Sequence, residues 1–175
     1  LKVGIEKIGL MLKKLGLDAN LNLESNEFRK GLVPSKKWKL DVKGTRWTPG
    51  ETINASIGQG YMLSNPIELS TMTARIANSE MSIEPTLLKN KTKKFLKLDI
   101  NKGHLNYIKN AMSNVVNNES GTAFKSRLNS ESIKMAGKTG TVQVVRISEE
   151  EREKGIIKNK DRVWKKRDHA LFVGY

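Results

Sequence analysis

Two hydrophobic periodicities meet in this sequence, and their order constrains the fold more than any other feature. Up to Val116 apolar residues return every three or four positions, whereas after Gly140 they run together, first in a β-branched stretch and then in an apolar run of strand length. Ile5, Ile8, Leu12 and Leu15 predict a helix closed by Gly16. Ile67, Leu69, Met72, Ile76 and Ala77 predict a second helix, opening at Asn65-Pro66 because a proline in the first turn gives up no intrahelical bond. Leu105, Ile108, Met112, Val115 and Val116 predict a third, ending near Asn117-Asn118. Thr141-Val142-Gln143-Val144-Val145 and His169 to Tyr175 read as strands that pair antiparallel. The charged stretch between them is then an elaborated hairpin connection. Within it Ser148 and Glu151 fit a capping box. Glu149, Glu150 and Glu151 early, with Lys165, Lys166 and Arg167 late, suit the dipole of a short helix. Residues 17–57, broken by Gly31, Pro34, Gly44, Pro49 and Gly50, read as an excursion of short strands or turns anchored by Trp38 and Trp47. The fold class is therefore α/β in the broad sense, of the α+β kind: helices flanking an antiparallel sheet.

Composition excludes several classes. A chain of 175 residues with 37% hydrophobic and 29% charged residues forms one domain with a core rather than a disordered segment. No apolar run reaches the 18 or so residues a membrane span needs, and Leu1 to Gly16 is interrupted by charges, an amphipathic pattern rather than a signal peptide. The chain is thus expected to carry no signal or anchor of its own. Its first residue is Leu, not Met, so residues upstream are expected. Zero cysteines exclude disulfides, thiolate metal sites and cysteine nucleophiles. His104 and His169 stand far apart without carboxylates at ligand spacing, so no metal and no cofactor are expected. The net charge of +14 raises a basic module for nucleic acid or an anionic surface as an alternative, its cations gathered at Lys36 to Lys43, Lys89 to Lys97 and Lys158 to Arg167. Neither a zinc-finger spacing nor a Lys/Arg-Gly-aromatic RNA signature accompanies that charge. Nucleic acid is therefore not an expected partner.

Chemistry concentrates at Ala136-Gly137-Lys138-Thr139-Gly140-Thr141. A phosphate-binding loop ending Gly-Lys-Thr would need a glycine where Ser132 stands and a helix where a strand follows, so that reading fails. The other reading is the Lys-Thr-Gly strand of serine acyl-transferases that handle D-alanyl peptides and β-lactams. Lys138 would hold a substrate carboxylate and tune nearby proton transfer, and the hydroxyls of Thr139 and Thr141 would bond the same carboxylate. Gly140 would let a substrate backbone lie along the strand, and the Thr141 N–H would serve an oxyanion hole.

Further stretches surround this one in a fixed order: Thr48-Pro-Gly-Glu-Thr-Ile-Asn54, Ile57-Gly-Gln-Gly-Tyr61 with Asn65-Pro66-Ile67-Glu68-Leu69, Gly121-Thr122-Ala123, and His169 to Tyr175. Together they resemble the class B penicillin-binding proteins, and among them the elongation type, penicillin-binding protein 2. The resemblance implies a penicillin-binding, serine β-lactamase-like transpeptidase fold, present in part over residues 1–175. It implies catalytic roles for Lys138 and Thr141, substrate contacts from Lys138, Thr139, Gly140 and Thr141, and structural roles near the site for Gly58, Gln59, Gly60, Gly121 and Thr122. Asn78-Ser79-Glu80 departs from the Asn-Gly-Gly turn common in the family.

Family members attack with a serine in Ser-x-x-Lys and use a second motif, Ser-x-Asn or Ser-x-Asp. No serine here has lysine three positions on, or asparagine or aspartate two positions on. Both motifs would precede the helix of Leu1 to Gly16, and a final strand and helix would follow Tyr175. Losing the nucleophile of such a site costs about 10⁶-fold in turnover, so the chain is expected to be inactive alone. The implied partners are peptidoglycan stem peptides and β-lactams, bound together with the upstream half, the rest of the parent protein, and the cell-elongation machinery. The implied location is the periplasmic face of the bacterial inner membrane. A class D β-lactamase-like fragment is the nearer alternative, disfavoured by the Gly-Gln-Gly-Tyr stretch and the long excursion.

Overall fold

The computed structural model describes residues 2–20, 28–88, 94–142, 144, 145 and 148–175. The first predicted helix is α1 (Ile5–Lys14), whose chain leaves through Gly16 at φ +103°. The excursion differs from its expectation, because two short helices stand where strands or turns were predicted: α2 (Lys36–Lys43) and α3 (Pro49–Ser56). Their starts are set by side chains. Ser35 Oγ accepts from the Trp38 N–H, and Thr48 and Glu51 form a capping box with Pro49 in the first turn. Lys39 ties the pair together, its buried ammonium donating to the Arg46 carbonyl at 2.7 Å and meeting Glu51 Oε1 at 2.6 Å. Trp38 and Trp47 do anchor this region, their rings packed at a tilt against Tyr61 at centroid distances of 5.3 and 6.4 Å.

The second predicted helix is α4 (Pro66–Asn78), and its cap is again a reciprocal pair. Asn65 Oδ1 accepts from the Glu68 N–H at 2.9 Å, while Asn65 Nδ2 donates to the Arg29 carbonyl at 3.0 Å. Removing both bonds with Asn65→Ala is expected to cost 1–2 kcal/mol, roughly the upper half of the range for a lost helix cap. Urea unfolding checks this, and a change below 0.3 kcal/mol, about the noise of the method, would contradict it. The departure at Asn78-Ser79-Glu80 keeps its turn: Ser79 takes φ +61°, its hydroxyl bonded to the Ile76 carbonyl at 2.7 Å. Asn78 Oδ1 accepts from the N–H groups of Glu80 and Met81, so side chains hold a conformation that glycine adopts unaided.

The third helix, α5 (Lys102–Asn117), lies under the sheet. Leu105, Met112 and Val116 are buried, and Ile108, expected in the same stripe, is exposed. Ile76, Leu98, Leu105, Met112 and Ala136 form the core cluster, with Leu15, Met72 and Ile100 against it. Among the described residues the sheet has two strands, β1 (Gly137–Val142) and β2 (His169–Gly174), antiparallel with Lys138 opposite Val173 and Gly140 opposite Leu171. The first strand thus starts four residues earlier than its β-branched run, and Gln143 lies outside the described residues. In the connection, α6 (Glu149–Lys154) is the expected short helix. Ser148 Oγ caps the Glu151 N–H at 3.1 Å, but the Glu151 carboxylate turns away to pair with Arg162, so the box is only half made. Lys165 and Lys166 sit in a separate 3₁₀ turn with Arg167 as its cap, too far along to act on the helix dipole.

Candidate functional site

Strand alternation sorts the predicted site residues onto two faces. Gly137, Thr139 and Thr141 share one, Lys138, Gly140 and Val142 the other. Hydrogen-bond alternation sorts their backbones as well. Ala136 and Tyr175 exchange both ladder bonds at 2.9 Å, which makes Lys138, Gly140 and Val142 the next bonded positions. The N–H and C=O groups of Thr139 and Thr141 therefore point away from β2, along the edge that no other strand occupies among the described residues. Lys138 reaches round to this edge, its Nζ donating to the Thr139 carbonyl at 2.7 Å and to Thr139 Oγ1 at 3.4 Å.

The two glycines of the strand answer to different neighbours. A Cβ on Gly137 would fall 2.2 Å from Phe172 Cζ, so packing within the pair demands glycine there. A Cβ on Gly140 would meet Leu171 Cβ at an ordinary 3.7 Å, so nothing in this strand pair demands it. The opening at Gly140 is on the Lys138 face. A backbone laid along the edge would pair with Thr139 and Thr141 instead.

Thr122 is the predicted structural residue that the fold brings to this strand. Its Oγ1 stands 3.2 Å from Thr139 Oγ1. Gly121 makes that approach possible, since a Cβ there would fall 2.3 Å from the Val115 carbonyl oxygen at the end of α5. Asn117 Nδ2 donates to the Met135 carbonyl at 2.9 Å, fixing the entry of β1 to the same helix end. Sequence reasoning missed the role of Asn117, which no motif marks. Gly58 and Gly60 both take positive φ in the turn that closes α3, and the Gln59 N–H bonds back to the Asn54 carbonyl at 2.9 Å. That turn is tied back to α3 through the Asn54 and Ala55 carbonyls. Partial burial pushes the Tyr175 phenol above its ordinary pKa. Among the described residues no group of His, Asp or Glu has the spacing of a metal site, and no helix is long and apolar enough to cross a membrane.

Residues 1–175 match the penicillin binding protein transpeptidase domain from end to end. The chain belongs to this transpeptidase family. Among its relatives, the peptidoglycan D,D-transpeptidase MrdA of Acinetobacter baumannii is 28% identical over 185 residues, covering 99% of this chain and 26% of that protein. The same enzyme from Haemophilus influenzae is 28% identical over 184 residues, covering 99% of this chain and 28% of its own length. Penicillin-binding protein 2 of Helicobacter pylori, solved in complex with MreC, shares the fold with a TM-score of 0.83 and 28% identity, over 99% of this chain and 30% of that one. Penicillin-binding protein 2 of Pseudomonas aeruginosa, solved in complex with WCK 5153, gives 0.79 and 32%, over 99% and 36%. This transpeptidase chain thus spans under a third of the curated relatives it matches, and its kind is penicillin-binding protein 2. Neither a β-lactamase fragment nor a basic binding module is favoured by these relatives.

Proposed function

We propose that this chain supplies the substrate strand of a peptidoglycan D,D-transpeptidase, whose attacking serine lies on a segment outside these 175 residues. The open edge of β1 carries the proposal, because it combines a cation, two hydroxyls and free backbone donors on one short strand. In the whole enzyme the serine attacks the penultimate D-alanyl carbonyl of a donor stem peptide. D-alanine departs, and the acyl group passes to an acceptor amine. Lys138 holds the terminal carboxylate with the hydroxyls of Thr139 and Thr141. The Thr141 N–H, directed outward by the ladder, stabilises the oxyanion. Penicillin mimics the donor and remains as an acyl-enzyme. Work at the periplasmic face of the inner membrane, alongside the cell-elongation machinery, fits solved relatives captured with MreC and in a peptidoglycan synthase complex. Fluorescent penicillin tests the reading. The isolated chain is expected to remain unlabelled, and the protein including its serine segment to label covalently; labelling of the isolated chain would overturn the division of roles.

A further inference from the structure

We infer that Thr122 is a positioning residue for the substrate carboxylate, acting through Thr139; this rests on the transpeptidase reading above and deepens it. Thr122 is exposed, and its bond to Thr139 lies in an exposed setting, where a bond between two hydroxyls adds little to folding. Yet the loop holding it is fixed on two sides. The Ala123 N–H donates to the Val115 carbonyl at 3.0 Å, and the Gly121 N–H to the Asn118 carbonyl at 2.8 Å. A rigid loop that aims an exposed hydroxyl at a strand residue is organised for a ligand rather than for the core.

The chemistry of Thr139 says what that aim accomplishes. A hydroxyl has one proton and two lone pairs. The Lys138 ammonium, which can only donate, occupies one lone pair of Thr139 Oγ1. If Thr139 gave its proton to Thr122, none would remain for an anion. With Thr122 donating instead, the second lone pair is filled and the Thr139 proton points at the carboxylate. Thr122 thereby makes Thr139 a committed donor, and a carboxylate, which only accepts, selects that arrangement.

The test uses the protein including its serine segment. Acylation rates are measured with benzylpenicillin and with its carboxylate methyl ester, for the wild type, Thr122→Val, Thr122→Ala and Thr122→Ser. Loss of one bond assisting a charged acceptor is expected to slow acylation by the free acid about tenfold in Thr122→Val and Thr122→Ala. The ester rate is expected to stay within about twofold, and Thr122→Ser to recover the wild-type rate, since only the hydroxyl is at issue. Equal slowing of acid and ester, or no slowing, would overturn the role while leaving the transpeptidase reading intact. A wild-type protein that fails to acylate would overturn that reading and this role together.

Discussion

In the protein including its serine segment, Lys138→Ala is expected to slow penicillin acylation by about 10²–10³-fold, the range for removing a group aimed at charge in such a site. Lys138 is the cation that contacts Thr139, through both its carbonyl and its hydroxyl. Without it the substrate carboxylate would face two hydroxyls and no positive charge. Lys138→Arg is expected to recover only part of the rate. A planar guanidinium cannot bring one compact charge to both oxygens of Thr139. Because Lys138 is exposed, neither variant should lower the melting temperature, which separates chemistry from folding. Acylation within threefold of wild type would remove Lys138 from the mechanism.

The largest expected effect on stability belongs to Glu68. It is fully buried, yet its carboxylate meets polar partners from two separate parts of the chain. Oε1 accepts from the Gly31 N–H at 3.0 Å, and Oε2 from Ser64 Oγ at 3.1 Å and the Asn65 N–H at 3.4 Å. Glu68→Ala would strand those donors around a cavity, at an expected cost of about 3 kcal/mol. For a chain of this size that lowers the melting temperature by about 6–12 °C. Glu68→Gln, which keeps the volume and one acceptor, should lose less. If the alanine variant melted within 2 °C of wild type, a shift worth about 1 kcal/mol or less, the bond network would have no structural weight.

Glu68 also marks what the sequence left unread. Periodicity placed α1, α4 and α5 because their apolar residues face one core, a β-branched run placed the first strand, and an apolar run of strand length placed the second. Hydropathy assigns Glu68, Lys39 and Arg75 to solvent, whereas the fold buries them to satisfy backbone groups, in the neighbouring turn for Lys39 and in distant segments for Glu68 and Arg75. Nothing in a linear pattern announces such a partner. The helices α2 and α3 were legible only through their caps. Ser35, Thr48, Pro49 and Glu51 are start signals, but the density of proline and glycine around them was read as turn chemistry. At the site, the Lys138–Thr141 strand and its pairing with β2 were readable from composition and order. The meeting of Thr122 with Thr139 was not, since seventeen positions separate them and a helix end must fold first.

The strands β1 and β2 are neighbours in space but are divided by residues 143–168, and that division shapes how the site assembles. Closing so long a segment costs chain entropy before any ladder bond rewards it. The connection between the strands offsets this by collapsing locally. Glu151 pairs with Arg162, Arg167 clasps the carbonyls of Lys160 and Arg162, and Asp168 Oδ1 accepts from the Val144 N–H at 3.1 Å. These contacts draw together the two points where the strands depart. Such a clasp shortens the effective loop between β1 and β2, so their pairing costs less chain entropy than an open segment of that length would. The outward edge at Thr139 and Thr141 is thus held in register partly by contacts made beyond the strands themselves.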